Sequence, residues 1–151
     1  MKKILLFLIL LISCSIETEI RDGYFVYDER SPEQVIELLG DTIDQYENYY
    51  GECKYNACIW LRKEHWTSYG QEVAGTFIGR RGDNCCFIQV GVNKTDSCGT
   101  AHVLMHELKR CCFDIYTNTE WEWTHDIYYA VLPLKESGKC GEVSYNPYIW
   151  R

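Results

Sequence analysis

Apolar and polar positions follow two rhythms along this chain. From Pro32 to about Tyr49, the residues Val35, Ile36, Leu38, Leu39, Ile43 and Tyr46 recur at helical spacing, which predicts a helix with one buried face. Ser31-Pro32-Glu33-Gln34 supplies an N-cap, a first-turn proline and a capping-box glutamine, and Gly51 supplies the stop. Shorter apolar runs read as strands: Tyr24–Tyr27, Ala57–Arg62, Val73–Gly79 and Cys85–Val92. The last two flank Arg80-Arg81-Gly82-Asp83-Asn84, predicted to be a hairpin loop. A second helix is expected from Gly99 to about Phe113, with Ala101, Val103, Leu104, Met105 and Leu108 in the core. Trp121–Leu134 is aromatic and reads as a loop followed by a strand or short helix. Beyond Lys135, Gly138, Gly141 and Pro147 predict irregular chain. The expected fold is a small α+β single domain with two main helices and an antiparallel hairpin or sheet.

The first residues belong to a different kind of segment. Lys2 and Lys3 precede an apolar run from Ile4 to Ile12, the arrangement of a secretory signal. The run is shorter than the roughly 20 residues a membrane-spanning helix needs. Leu11-Ile12-Ser13-Cys14 resembles the lipobox of bacterial lipoproteins. That resemblance implies cleavage before Cys14 and acylation (palmitate among the chains) of the new N-terminal cysteine. More than one acyl chain anchors stably, since each buried methylene contributes about 0.8 kcal/mol. Ser15, in place of the aspartate that retains such proteins in the inner membrane, favours the outer membrane of a Gram-negative host. The expected organisation is a signal peptide over 1–13, lipidated Cys14 with a polar tether to Gly23, and an exported domain over 24–151. The membrane is then a partner through the lipid.

Charge and cysteines narrow the function further. The net charge is −7, and no basic run appears, which excludes nucleic acid as a partner class. The chain has 9 cysteines. With Cys14 assigned to lipid, Cys53, Cys58, Cys85, Cys86, Cys98, Cys111, Cys112 and Cys140 remain, an even set in an exported protein and hence disulfide candidates. Cys98 and Cys111 lie at opposite ends of the second helix. At about 1.5 Å per residue they are about 20 Å apart, so each needs a different partner. Paired C-x₂-C spacing, the mark of a cysteine zinc site, is missing.

The second helix carries the candidate chemistry. His106-Glu107-Leu108-Lys109-Arg110 resembles the zincin metallopeptidase motif H-E-x-x-H. In that family two histidines one turn apart bind zinc, and the glutamate after the first polarises the metal-bound water. The resemblance implies His106 as a ligand, Glu107 as general base, zinc as cofactor and His125 as a further ligand from downstream. The fold would then be zincin-like. This chain departs from the motif at Arg110, because a guanidinium stays protonated and cannot bind zinc. His102 lies one turn before His106 on the same face, so His102, His106 and His125, or a carboxylate such as Asp114 or Asp126, make an alternative ligand set. The alternative without metal leaves both histidines structural and pairs Glu107 with Arg110.

Other constellations are weaker. His65 stands beside no nucleophile. Glu120 and Glu122, alternating with Trp121 and Trp123, would sit about 7 Å apart on one face of a strand, a carboxylate pair by spacing alone. Arg81-Gly82-Asp83 and the Asn93-Lys94-Thr95 sequon are short patterns that a turn explains. With 5 tryptophans and 12 tyrosines, residue types enriched at interfaces, the competing function is a non-enzymatic module that binds an envelope protein or peptide.

Overall fold

An antiparallel hairpin opens the described chain, and its second strand leads through a helix into a parallel neighbour. The computed structural model describes residues 16–28, 31–63, 66–68, 71–80, 85–115 and 120–142. Cys14, the signal segment, His65 and Arg81-Gly82-Asp83 lie outside the described residues. Strands β1 (Ile16–Arg21) and β2 (Tyr24–Asp28) form an antiparallel hairpin about the Asp22-Gly23 turn. Helix α1 (Glu33–Tyr50) then crosses to β3 (Asn56–Arg62), which pairs parallel with β2. Strands β4 (Trp66–Ser68) and β5 (Gln71–Val73) make a separate two-stranded sheet. Strand β6 (Gly75–Arg80) pairs antiparallel with β7 (Cys85–Gly91), and β7 pairs parallel with β3. The main sheet therefore has the order β1-β2-β3-β7-β6. Helices α2 (Ser97–Cys112) and α3 (Glu120–Glu136) complete the chain order.

The fold remains α+β and disulfide-rich, but two parts of the expectation are corrected. The sheet is mixed, where an antiparallel hairpin or sheet was expected. Parallel neighbours require a crossover, and β2-α1-β3 is such a βαβ unit, in which α1 was legible but its consequence for strand direction was not drawn. The described helices also number three, not two. Trp121–Leu134, expected as a loop followed by a strand or short helix, lies within one long helix, in which Ile127, Ala130, Val131 and Leu134 are buried at helical spacing. Pro133 lies inside the last turn of α3. Ile16–Arg21, read as part of a tether, is β1.

One face of the main sheet carries the core. Val26, Ala57, Ile59, Leu61, Cys86, Ile88 and Val90 point to the helices and are buried, as the period of two on each strand requires. Helix α2 lies on β6 and β7 and packs against both α1 and α3. Its approach to β6 is close. A Cβ added at Gly75 would lie 2.5 Å from Val103 Cγ1 and 3.1 Å from Glu107 Cγ, so any larger residue there forces Val103 to move. At the other edge, a Cβ added to Gly40 would lie 2.8 Å from the Arg21 guanidinium, which crosses α1 at that residue to reach Asp44 at 2.7 and 2.8 Å.

Polar contacts lock the helices together. Asp126 of α3 accepts from Tyr50 Oη at 2.6 Å, Tyr49 Oη at 3.2 Å and Lys109 Nζ at 2.8 Å, tying α3 to both other helices. Burial works against the Asp126 charge, but the Lys109 and Tyr50 hydrogen bonds outweigh it and hold the carboxyl below its ordinary value. At the opposite end of α2, Asp96 caps Cys98 N at 3.0 Å. Ser97 exchanges hydrogen bonds with Gly141 at 2.8 and 3.0 Å.

Candidate functional site

Helix α2 presents three faces. Ala101, Leu104, Met105, Leu108 and Cys111 are buried in the core. His102 and His106 lie one turn apart on a half-buried stripe. Glu107 is turned under β6 and is only 4% exposed. Burial, with the positive field of Arg110 and the neighbouring His102, lowers His106 to about 4, so the imidazole is neutral at physiological pH. A neutral imidazole has the protonation state of a metal ligand, but a neutral buried histidine meets the same description.

Arg110 decides what Glu107 can do. Its Nη1 lies 3.3 Å from Glu107 Oε2, and the two side chains are 17% and 5% exposed. The guanidinium also stands 5.8 Å over the Phe77 ring of β6 and donates from Nε to Ile115 O at 3.4 Å. Burial pushes Glu107 up to about 7, against the lowering effect of Arg110. The zincin resemblance assigned Glu107 the role of base. The residue in the second ligand position holds that carboxylate in an ion pair beneath a strand.

The two carboxylates expected as alternative ligands, Asp114 and Asp126, are engaged by other residues. His125 falls within α3, but its side chain lies outside the described residues, as do those of Glu120, Trp121, Glu122 and Trp123. Asp126 is engaged by Tyr49, Tyr50 and Lys109, and Asp114 accepts from Tyr55 Oη at 2.9 Å and Lys54 Nζ at 3.1 Å. Among the described residues, the group of three donor atoms close enough to share an ion is sulfur-based. The Sγ atoms of Cys53, Cys111 and Cys112 lie within 4.8 Å of one another.

Those sulfurs belong to disulfides. The bonds are Cys53–Cys112, Cys58–Cys85, Cys86–Cys111 and Cys98–Cys140. The vicinal pairs Cys85-Cys86 and Cys111-Cys112 join the first three into a continuous covalent ladder. It runs from β3 through β7 and α2 to the loop after α1. Metal binding needs thiolates, so the Cys53, Cys111 and Cys112 cluster offers a soft-ligand metal site only after reduction.

Sequence reasoning missed a second surface, on the sheet face away from the helices. Tyr27 and Trp60 are register partners there and stack with ring centroids 6.1 Å apart and planes 9° from parallel. Tyr27 Oη lies 4.0 Å from Cys58 Sγ of the Cys58–Cys85 bond. Trp60 is 42% exposed, in the middle strand of the sheet. The signal was the alternation Ala57-Cys58-Ile59-Trp60-Leu61, in which Trp60 falls on the face opposite Ile59 and Leu61.

No protein-family model, curated protein or solved structure matches this chain.

Proposed function

We propose that the chain is an exported lipoprotein, anchored through acylated Cys14, whose disulfide-stapled domain is a non-enzymatic binding module for an envelope protein or peptide. The observation that carries the binding reading is Trp60, a tryptophan held 42% exposed on a central strand and stacked on Tyr27. An aromatic pair on a rigid sheet buries large area at little entropic cost, which makes it a binding anchor. With a net charge of −7 over the full chain, to which the signal segment contributes only the cations Lys2 and Lys3, the domain is acidic and suits a basic partner, since opposite charge speeds encounter and selects register. The Glu107–Arg110 pair supports the same reading, because Arg110 fills the position of the second zinc-binding histidine with a cation that cannot bind metal. In this reading α2 resembles a zincin helix in sequence but serves as scaffold. Zinc enters only as an ion the reduced Cys53, Cys111 and Cys112 thiolates would hold.

Lipidation is supported by the lipobox residues; among the described residues no helix is long and apolar enough to cross a membrane. The test places a photo-crosslinking amino acid at Gln89, the register partner of Trp60, in the full chain in cells. A single adduct identified by mass spectrometry, abolished by Trp60→Ala and kept in Glu107→Gln, is the expected result. Labelling no stronger than at exposed Glu37 on α1 overturns the binding reading. Loss of acyl label in Cys14→Ala tests the anchor separately.

A further inference from the structure

The main sheet begins close to the residue that the anchor would occupy. Strand β1 starts at Ile16, two residues after Cys14, and two residues span at most about 7 Å. Ile16 is the register partner of Asp28, the last residue of β2. Because β2, β3 and β7 run parallel, Ile16 stands at the end of the sheet where those three strands finish. Helices α1 and α2 start at this same end, since α1 follows β2 and α2 follows β7. The chain after α3 is joined to it by Cys98–Cys140 and by Gly141 N donating to Ser97 Oγ. The opposite end holds the β1–β2 turn, the C-terminus of α1 and the Cys53–Cys112 bond.

So short a link at one corner leaves the domain two ways to rest on a bilayer: on that end, or flat along the β1 edge. Charge separates them. The β1 edge exposes Glu17 and Glu19, with Asp22 and Glu52 beyond them at the far end. Its one cation, Arg21, is already bonded to Asp44 at 2.7 and 2.8 Å. Anionic headgroups repel such an edge. The sheet end exposes Lys63, Lys94, Lys135 and Lys139, interspersed with carboxylates such as Glu33 and Asp96. A mixed surface of this kind meets lipid phosphates through its ammonium groups.

We propose that the end of the sheet where β2, β3 and β7 finish is a docking face for the bilayer surface, with lipid phosphate headgroups as its partner. The proposal rests on acylation of Cys14 and deepens that reading, because the domain is then seated on the membrane and not held above it on a tether. The seat also places the aromatic pair. Tyr27 is the register partner of Glu17, which is three residues, about 10 Å of extended chain, from Cys14. A partner held on the Trp60–Tyr27 stack is therefore held close to the bilayer surface, while the Cys53–Cys112 bond faces away from it.

The test puts a diazirine amino acid in place of Lys94, and separately of Glu52, in the full chain in cells, and identifies phospholipid adducts by mass spectrometry. Lys94 lies between β7 and α2 at the seated end, and Glu52 lies between α1 and β3 at the far end. Adducts at Lys94 at least tenfold above those at Glu52 are expected. A Gly-Ser spacer of about twelve residues between Ser15 and Ile16 should cut the Lys94 signal at least fivefold. Acyl label on Cys14 is read in the same samples. Equal labelling at the two positions overturns the proposal, and so does a Lys94 signal that the spacer leaves unchanged. An acylated chain with no lipid adduct at Lys94 overturns the seating alone. A chain without acyl label overturns the anchor, and the seating with it.

Discussion

Arg110 Nη1 lies 3.3 Å from Glu107 Oε2, in a pair whose carboxylate is 5% exposed. The pair stands where an active zincin helix would hold a zinc ligand and a free base. Here it clamps α2 to β6 through Phe77. Removing the cation leaves a carboxylate buried under a strand, which in such pairs costs about 3–5 kcal/mol. Arg110→Leu should therefore lower unfolding free energy by about 3 kcal/mol at pH 8, measured by urea denaturation. The loss should shrink at pH 5, where Glu107 can take a proton. An equal loss at both pH values would show that the carboxylate charge is not what Arg110 supports.

Glu107 and His106 pull stability in opposite directions with pH. Glu107 is raised from 4.5 to about 7, so across that window the folded chain keeps a proton the unfolded chain has released. Its contribution is fully present below 4.5 and is lost as pH rises towards 7. His106 is lowered from 6.5 to about 4, so the unfolded chain binds the extra proton and this contribution grows as pH rises from 4 to 6.5. Thermal melts should show Glu107→Gln stabilised more by rising pH than wild type. His106→Gln should be destabilised more by the same rise. Variant curves parallel to wild type would contradict both assignments.

Gly75 of β6 lies close under α2. A methyl there meets Val103 Cγ1 at 2.5 Å, and overpacking of this kind costs about 1–3 kcal/mol. Gly75→Ala should lower the melting temperature, and Gly75→Ala with Val103→Ala should recover part of the loss. No recovery in the double variant would mean that the contact is not the cause.

The disulfide ladder carries stability and conceals ligands. Cys86–Cys111 closes a sequence separation of 25, and removing such a bond costs about 3 kcal/mol. Cys86→Ser/Cys111→Ser should show a loss of that order. Full reduction under native conditions should free the thiolates of Cys53 and Cys112 beside Cys111, and zinc uptake should rise in the reduced wild type. Uptake should fall in Cys53→Ser and stay unchanged in His106→Ala. Reduced protein that takes up no zinc would show that the sulfur cluster does not survive bond opening.

The legibility of this fold followed the strength of local signals. Helix α1 and the β6–β7 hairpin were readable because Leu38, Leu39, Ile43 and Tyr46 keep a helical period and Phe77, Ile88 and Val90 keep a strand period. Helix α3 was legible only as one of two alternatives and too short, because its aromatic residues favour strand by propensity, while Ile127, Ala130 and Leu134 find their partners only in tertiary packing. Strand direction was lost because a crossover is a property of three elements together. The Arg110 departure could be seen in the sequence, and the Glu107–Arg110 spacing allowed a pair. What only coordinates supply is that the pair is buried beneath β6. The stacking of Trp60 on Tyr27 depends on residues from separate strands, which no single stretch announces.

In the function proposed above, α2 is a structural helix and holds no metal. Its most direct test is the zinc content, by mass spectrometry, of the oxidised domain purified without chelator, beside its His106→Ala variant. The account predicts zinc at background in both. Close to one zinc per chain in the wild type, lost in His106→Ala, would contradict it and make Glu107→Gln the next enzyme to assay.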